Sequence, residues 1–461
     1  MNNEKANLTR DSERRKNNRK AITAVIAALA FLLTFLLGYF VNFLTQNPVV
    51  QKTADIYSII QGTSIYAEDN DADEIAKKFV YTVVGGEDKY AKYYSPAEYK
   101  RITAEDSGNY SGVGIAFFKD DSEIIAKVYP NSSAYKAGVC AGDKLVAGVF
   151  RGENAFTLFT DALAQENEGK PDGEKKTLSD IVTAFFAGFS LGEEVNIRID
   201  RGGEQMEFSL TKCEYVVSYV EYFDNEKAYY FSTEQDGFRG REKNGGKTEL
   251  SEDTSYIKLH EFHGGAAKQF AEAINYMYSR GKSRLILDLR DNGGGLLNIM
   301  TEIASYLIND NGNSTIKIMS AEGKNGKVPF YTSSNNYDVR LTDVAVIANL
   351  NTASASECLI GALADYGNPT IYGGAAFGLS RLVLTEKDAN DVYRTYGKGI
   401  MQTTYLLKSG GALALTTAKI FWPISDNVCV QGEGIKTDVA ENGVTDGAAI
   451  VRANTVLHTA A

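Results

Sequence analysis

Histidine is nearly absent: His260, His263 and His458 are the only three in 461 residues. A serine nucleophile needs a base, and the chain has little imidazole to supply one. "HEFH" sets His260 and His263 three apart at a strand end, without an HExxH helix or a clear third ligand, so surface or packing roles are expected and no metal site. The four cysteines, Cys140, Cys213, Cys358 and Cys429, are scattered, with no CxxC spacing. Zinc binding is thereby excluded, and buried free thiols are expected. The glycine turn in "LILDLRDNGGGLL" is followed by no GK[ST], which excludes a P-loop there. It has no internal repeat of 20–50 residues.

Charge divides the sequence. Residues 1–20 carry seven Lys or Arg against three Asp or Glu, a balance of +4. The whole chain stands at −11, so −15 falls on the remainder, which excludes nucleic acid as a partner. From Ala21 to Leu44, "AITAVIAALAFLLTFLLGYFVNFL" holds no charge and is long enough to cross a bilayer as one helix. The positive-inside rule leaves the tail in the cytoplasm and the bulk of the chain outside, as a single-pass membrane protein. No small-x-small cleavage site is evident, so the anchor is expected to stay uncleaved.

The length implies two or three domains. Residues 45–105 read as a polar stalk followed by a helical region. One helix is expected from Asp73, with Ile75, Phe79 and Val83 on one face, and another after Ser95, where Glu98 completes a capping box. From 106 to 215 the texture changes to short strands and glycine turns. "YSGVGIAF" sets Gly112 and Gly114 around Val113, ahead of a strand from Ile115 to Phe118. Backbone N–H groups in such a loop form a nest for an anion. "SSAYKAGVCAGDKL" reads as a short helix, a glycine turn and a strand, and "GEEVNIRIDRGGEQMEFSL" as a closing hairpin. In this order the segments resemble a PDZ domain, with an insertion at 150–187. The resemblance implies that Gly112, Val113, Gly114 and Ile115 take a peptide's terminal carboxylate.

Strands and helices then alternate, which argues for an α/β, mixed α+β core over 216–461. Residues 222–255 are polar and glycine-containing and read as an exposed excursion. "YIKLHEF" is a strand candidate, and a helix should run from Ala266 to Arg280 with Phe270, Ile274 and Met277 inward and Gly281 as its stop. "SRLILDLRDNGGGLL" is a buried strand, a glycine turn and a helix start, leaving free N–H groups at a positive helix end. "DVAVIANLNTASASECLIGAL" repeats that order with two serines at the junction.

These two stretches resemble the carboxy-terminal processing peptidases, the tail-specific serine proteases of family S41, with a core of ClpP/crotonase-like ββα character. Leu289, Arg290, Asn292, Gly294 and Gly295 match the family's turn. "TASASE" aligns with its nucleophile run, with the nucleophile at Ser354, Thr352 where a serine often stands, and Ser356 as a helix cap. The family uses a Ser-Lys dyad, its lysine in a Phe-Gly-Lys-Gly turn with glutamine four positions on. "AAFGLSRLV" has Leu379 in the lysine's place, which would give an inactive peptide-binding scaffold. "TYGKGIMQ" supplies both identities at the right separation, so Lys398 is the expected base and Gln402 its partner, with an insertion near 374–395. Gly294 or Gly295, with Ala355, would hold the oxyanion. The resemblance implies proteolysis of proteins or peptides with free C-termini and no cofactor, and leaves homo-oligomerisation open.

Overall fold

The computed structural model describes short pieces between residues 31 and 59. From 72 to 459 it describes all but 85–86, 118–122, 130–131, 172–174, 225–227, 232–237, 242–249, 309–314, 333–337, 367–380, 426 and 438–445. The chain divides into two units, Met1–Ile75 and Ala76–Ala461. In the first, residues 31–34 and 56–59 are helical. The rest of the Ala21–Leu44 stretch lies outside the described residues. Among those described, no helix is long and apolar enough to cross a membrane.

The second unit opens with α1 (Ala72–Val84 in full), β1 (Lys92–Tyr94) and α2 (Pro96–Asp106). The capping box forms as expected: Ser95 N–H donates to Glu98 Oε2 at 2.8 Å, and Glu98 N–H to Ser95 Oγ at 3.3 Å. The apolar face expected of α1 is not covered, since Phe79 and Val83 are exposed.

Residues 109–216 form β2 (Asn109–Gly112), β3 (Ile115–Phe117), β4 (Ile125–Val128), α3 (Ser133–Ala137), β5 (Lys144–Gly148), β6 (Thr157–Leu158), α4 (Phe159–Asn167), α5 (Leu178–Ala187), β7 (Glu194–Arg201), β8 (Glu204–Thr211) and β9 (Cys213–Val216). The β7–β8 hairpin is in full register from Glu194↔Thr211 to Arg201↔Glu204. This region has its own hydrophobic core, in which Phe159, Ile181, Val182 and Phe185 are buried with Val113, Leu145 and Ile197. Stretch 150–187 is therefore no appendage, because its two helices supply aromatic side chains that the short strands cannot.

The remaining elements are β10 (Val220–Phe223), β11 (Ala228–Phe231), β12 (Phe238–Arg241), β13 (Thr254–Leu259), α6 (Ala266–Ser279), β14 (Arg284–Asp288), α7 (Leu297–Ala304), β15 (Lys317–Gly323), β16 (Gly326–Tyr331), β17 (Asp343–Ala348), α8 (Ala355–Tyr366), β18 (Leu382–Leu384), β19 (Ile400–Leu406), β20 (Ala412–Phe421) and α9 (Asp446–Thr459). A seven-stranded sheet runs β12-β11-β10-β13-β14-β17-β18. Its β13, β14, β17 and β18 are mutually parallel. Both faces are covered, as parallel sheets require. Leu285, Leu287, Val344 and Val346 join the core that includes α6, α7 and α8, while the alternate Ile286, Ala345 and Ile347 pack with Ala449, Ile450 and Ala453 of α9.

One expectation is corrected by this sheet. Residues 222–255 are not an excursion, because β10, β11 and β12 extend the sheet antiparallel and Tyr222 is fully buried. The stretch near 374–395 contains β18, whose Leu382, Val383 and Leu384 are fully buried at the sheet's other end. Leu379 itself lies outside the described residues. A second sheet joins β1, β20, β15 and β16, with β19 on β20.

Phe185 meets Phe150, Phe159, Phe186 and Phe189 with ring centroids 5.0–5.3 Å apart. Phe185→Ala should remove about 3–5 kcal/mol of stability from the 109–216 core. Urea unfolding followed by tyrosine fluorescence should show an earlier transition for that core.

Candidate active site

Three loops meet at the carboxyl ends of adjacent parallel strands: "HEFHGG" after β13, "LRDNGGG" after β14 and "NLNTASA" after β17. Open α/β sheets place ligand sites at such ends. Here a cavity of about 850 Å³ is lined by Gly293, Gly294, Gly295, Ser354, Lys398 and Gln402, among others.

Three hydroxyls occupy the serine-bearing turn, and two are engaged elsewhere. Thr352 Oγ1 donates to Leu289 O at 2.9 Å, and the fully buried Ser356 Oγ donates to Asn292 O at 2.9 Å. Ser356 thus ties α8 to the glycine turn instead of capping the helix. Ser354 Oγ has no such partner among the described residues. Its residue adopts φ +59°, a left-handed backbone that costs a non-glycine residue about 1–3 kcal/mol. The surrounding bonds hold it: Ala353 N–H reaches Asn292 O at 3.0 Å, and Ser354 N–H reaches Glu357 Oε2 at 3.0 Å.

Asn292, fully buried, shapes the glycine turn by donating to Leu259 O and accepting the Gly294 N–H, both at 2.9 Å. Gly294 packs on the serine turn so closely that a Cβ there would lie 2.8 Å from Ser354 Cβ and from Ala353 O. Of the two candidate oxyanion glycines, Gly294 has its N–H taken by Asn292 Oδ1. The N–H groups of Gly295 and Ala355 donate to no partner among the described residues.

Lys398 precedes β19 and is half-buried. Its Nζ donates to Gln402 Oε1 at 3.0 Å and lies 5.2 Å from the centroid of the Tyr90 ring. Burial pushes its pKa below the usual lysine value, opposed by Tyr90. No carboxylate pairs with the amine among the described residues. Lys398 Nζ and Ser354 Oγ line one cavity without a direct hydrogen bond, and such bonds often tighten only with substrate.

Glu357 links the two sides, and sequence reasoning did not single it out. Its fully buried carboxylate accepts from Ser354 N–H, from Thr395 Oγ1 at 2.5 Å, and from the Gly397 and Lys398 N–H groups at 2.8 Å each. Burial raises its pKa, and those four donors oppose the rise. The only sequence signal was a glutamate in the first turn of a helix.

The histidines pair with carboxylates. His260 Nε2 lies 2.5 Å from Glu221 Oε1, and His263 Nδ1 lies 3.2 Å from Asp106 Oδ1 on the cavity wall. No group of residues fit to hold a metal occurs among the described residues. All four thiols are free; Cys358 is buried, but Cys140 is exposed, contrary to expectation. At the other candidate site, Val113 O accepts from Ala134 N–H at 3.0 Å and Gly114 O from Tyr129 N–H at 2.9 Å. The N–H groups of Val113 and Gly114 have no partner among the described residues.

The chain is similar to known proteins. Residues 253–390 match peptidase family S41. The probable CtpA-like serine protease of Staphylococcus aureus is 24% identical over 420 residues, covering 91% of this chain and 70% of the relative. Its Staphylococcus saprophyticus counterpart is 24% identical over 421 residues, covering 90% and 70%. Among solved structures, a photosystem II D1 C-terminal processing protease aligns over 86% of this chain and 88% of its own, at 20% identity and a TM-score of 0.46. The chain is thus similar to serine proteases along nine-tenths of its length, and the match to peptidase family S41 covers the stretch that carries Ser354.

Glu357→Gln would turn an NH₂ group towards one of four donors and remove the charge from the others. Charge-assisted hydrogen bonds contribute about 1.5–3 kcal/mol each. Peptide hydrolysis should show kcat lowered by about two orders of magnitude, with KM changed less than about threefold.

Proposed function

We propose that this peptidase cleaves extracytoplasmic proteins near their C-termini by a Ser354–Lys398 dyad, from a single-pass membrane anchor at Ala21–Leu44. The observation that carries the dyad is the Lys398 amine: half-buried, without a carboxylate partner among the described residues, held by Gln402 and sharing a cavity with Ser354. Ser354 Oγ attacks the peptide carbonyl while the neutral amine takes its proton. Gly295 and Ala355 N–H groups stabilise the oxyanion. The ammonium then protonates the leaving amine, and a water molecule, deprotonated by the same lysine, resolves the acyl-enzyme. Gln402 orients the amine without exchanging a proton.

Residues 106–215 act in this reading as a PDZ-type module. The N–H groups of Val113 and Gly114, without a partner among the described residues, take the substrate's terminal carboxylate, and an added strand pairs along β3. Ile115 and Phe117, packed against the module's core, favour apolar terminal side chains. The matches to CtpA-like proteases support C-terminal processing as the activity. The charge balance of the N-terminal tail supports its cytoplasmic side.

Ser354→Ala, Lys398→Ala and Lys398→Arg should each lower peptide hydrolysis by at least about a hundredfold, the last because arginine stays protonated. Leu379→Ala should retain activity, and Gln402→Ala should lose less than Lys398→Ala. Activity should rise with pH through an apparent pKa below the ordinary lysine value of about 10.4, because only the deprotonated amine is a base. Full activity of Lys398→Ala would overturn the dyad.

Recognition is tested separately with Ser354→Ala and one peptide as free acid and amide. Amidation should weaken binding about tenfold or more, the loss of one or two charge-assisted bonds. Equal affinities by calorimetry would remove carboxylate recognition and leave the dyad standing.

A further inference from the structure

The lysine side of the cavity is completed by a segment far from it in sequence. The turn at Asp88–Tyr90, ahead of β1, lies against the β19–β20 hairpin. Asp88 Oδ2 accepts the Thr416 N–H at 2.8 Å, and its Oδ1 accepts Thr416 Oγ1 at 2.9 Å and the Tyr90 N–H at 3.1 Å. Thr416 is the register partner of Gln402, and the ladder bulges between Met401 and Gln402. Bulges beside active sites re-aim side chains. Here the re-aimed Gln402 donates its Nε2 to Tyr90 O at 2.9 Å. A backbone carbonyl only accepts, so the amide's NH₂ must face Tyr90, and its oxygen is necessarily turned to Lys398.

The Tyr90 side chain adds a second contact. Its ring lies beside the Lys398 amine, and its buried hydroxyl has no hydrogen-bond partner among the described residues. The ring, rather than the hydroxyl, is what this position presents to the base.

We propose that the Asp88–Tyr90 turn is a positioning device for the lysine base, fixing the Gln402 amide through the Tyr90 carbonyl and shielding the amine from water with the Tyr90 ring. The inference rests on Lys398 being the base. Other titratable groups around the cavity are Tyr94, Tyr99, Asp106, Glu261 and His263, with Glu357 bonded to the Lys398 backbone, and Lys89 Nζ also lies over the Tyr90 ring, 5.0 Å from its centroid. Asp106 is engaged with His263, and Glu261 lies 3.8 Å from Lys127 Nζ. Removing the ring admits water to the amine. Solvation favours the ammonium, so a higher pH is then needed to free the base.

The test is the pH dependence of kcat and KM for a short peptide with Tyr90→Ala, Tyr90→Phe and Asp88→Asn. Tyr90→Ala should move the ascending limb up by about one pH unit or more, lowering kcat about tenfold at neutral pH and recovering it at high pH, with KM within about threefold. Tyr90→Phe, which keeps the ring, should restore the parent limb. Asp88→Asn weakens the turn without touching the ring and should shift the limb the same way to a smaller extent. It provides the readout should Tyr90→Ala fail to fold. A limb unmoved in both Tyr90→Ala and Asp88→Asn, with Lys398→Ala inactive, would overturn the positioning role alone. A Tyr90→Phe protein as impaired as Tyr90→Ala would overturn the role of the ring. An active Lys398→Ala protein would overturn the dyad, and this inference with it.

Discussion

The site depends on one buried carboxylate. Ser354 sits on the parallel sheet's side of the molecule, and Lys398 leads into a strand of a different sheet. Glu357 joins them through four donors, two from the lysine turn, one from the serine turn and one from Thr395. Thr395 Oγ1 itself accepts the Ile435 N–H at 2.8 Å, which directs its own proton to Glu357. Every partner is then a donor, the pattern of an ionised carboxylate, and the cost of burying that charge is offset where hydrogen bonding is complete. The carboxylate accepts the Lys398 backbone N–H, so it fixes that residue's position through the backbone.

Strain at Ser354 follows from the same arrangement. A left-handed serine between a strand and a helix persists only where its neighbours over-determine it. Bonds from Thr352, Ala353 and Ser356 reach the loop after β14, and Gly294 leaves no room for a side chain between the two loops. Asn292 serves as the hinge, accepting from Gly294, Ala353 and Ser356 while donating to the end of β13. Three consecutive strand ends are thus tied into one surface before any substrate arrives. Preorganisation of this kind is what oxyanion stabilisation requires.

What could be read in the sequence was local. Strand–turn–helix junctions carry their own signature of apolar run, glycine or serine, then helical spacing, and β14, β17, α6 and the residues around them matched it. The Gly294 N–H was legible as a donor but not as an occupied one, because Asn292 takes it two residues away through a side-chain rotamer. The strands β10–β12 read as an excursion because they alternate with polar residues and glycine and pair only antiparallel at the sheet's edge. The short β18 follows a glycine-rich stretch and was absorbed into an insertion. Tyr90 and Asp88 carried no signal at all. Their contacts to Gln402 and Thr416 join residues more than three hundred positions apart, and no periodicity reports on such a meeting.

The scarcity of histidine acquires a physical meaning here. An imidazole is poised near neutrality without help, whereas a lysine amine is almost wholly protonated there. A lysine base therefore needs walls that exclude water, and no single loop can wrap an amine on all sides. In this fold the walls come from α2 and the turn before it, from the glycine loop and from the β19–β20 hairpin, with Tyr90 over the amine and Glu357 beneath its backbone. In the proposed dyad, base strength becomes a property of how completely these elements close on one another. The helical segment ahead of residues 109–216 is consequently part of the cavity that holds Ser354 and Lys398, not a spacer leading up to it.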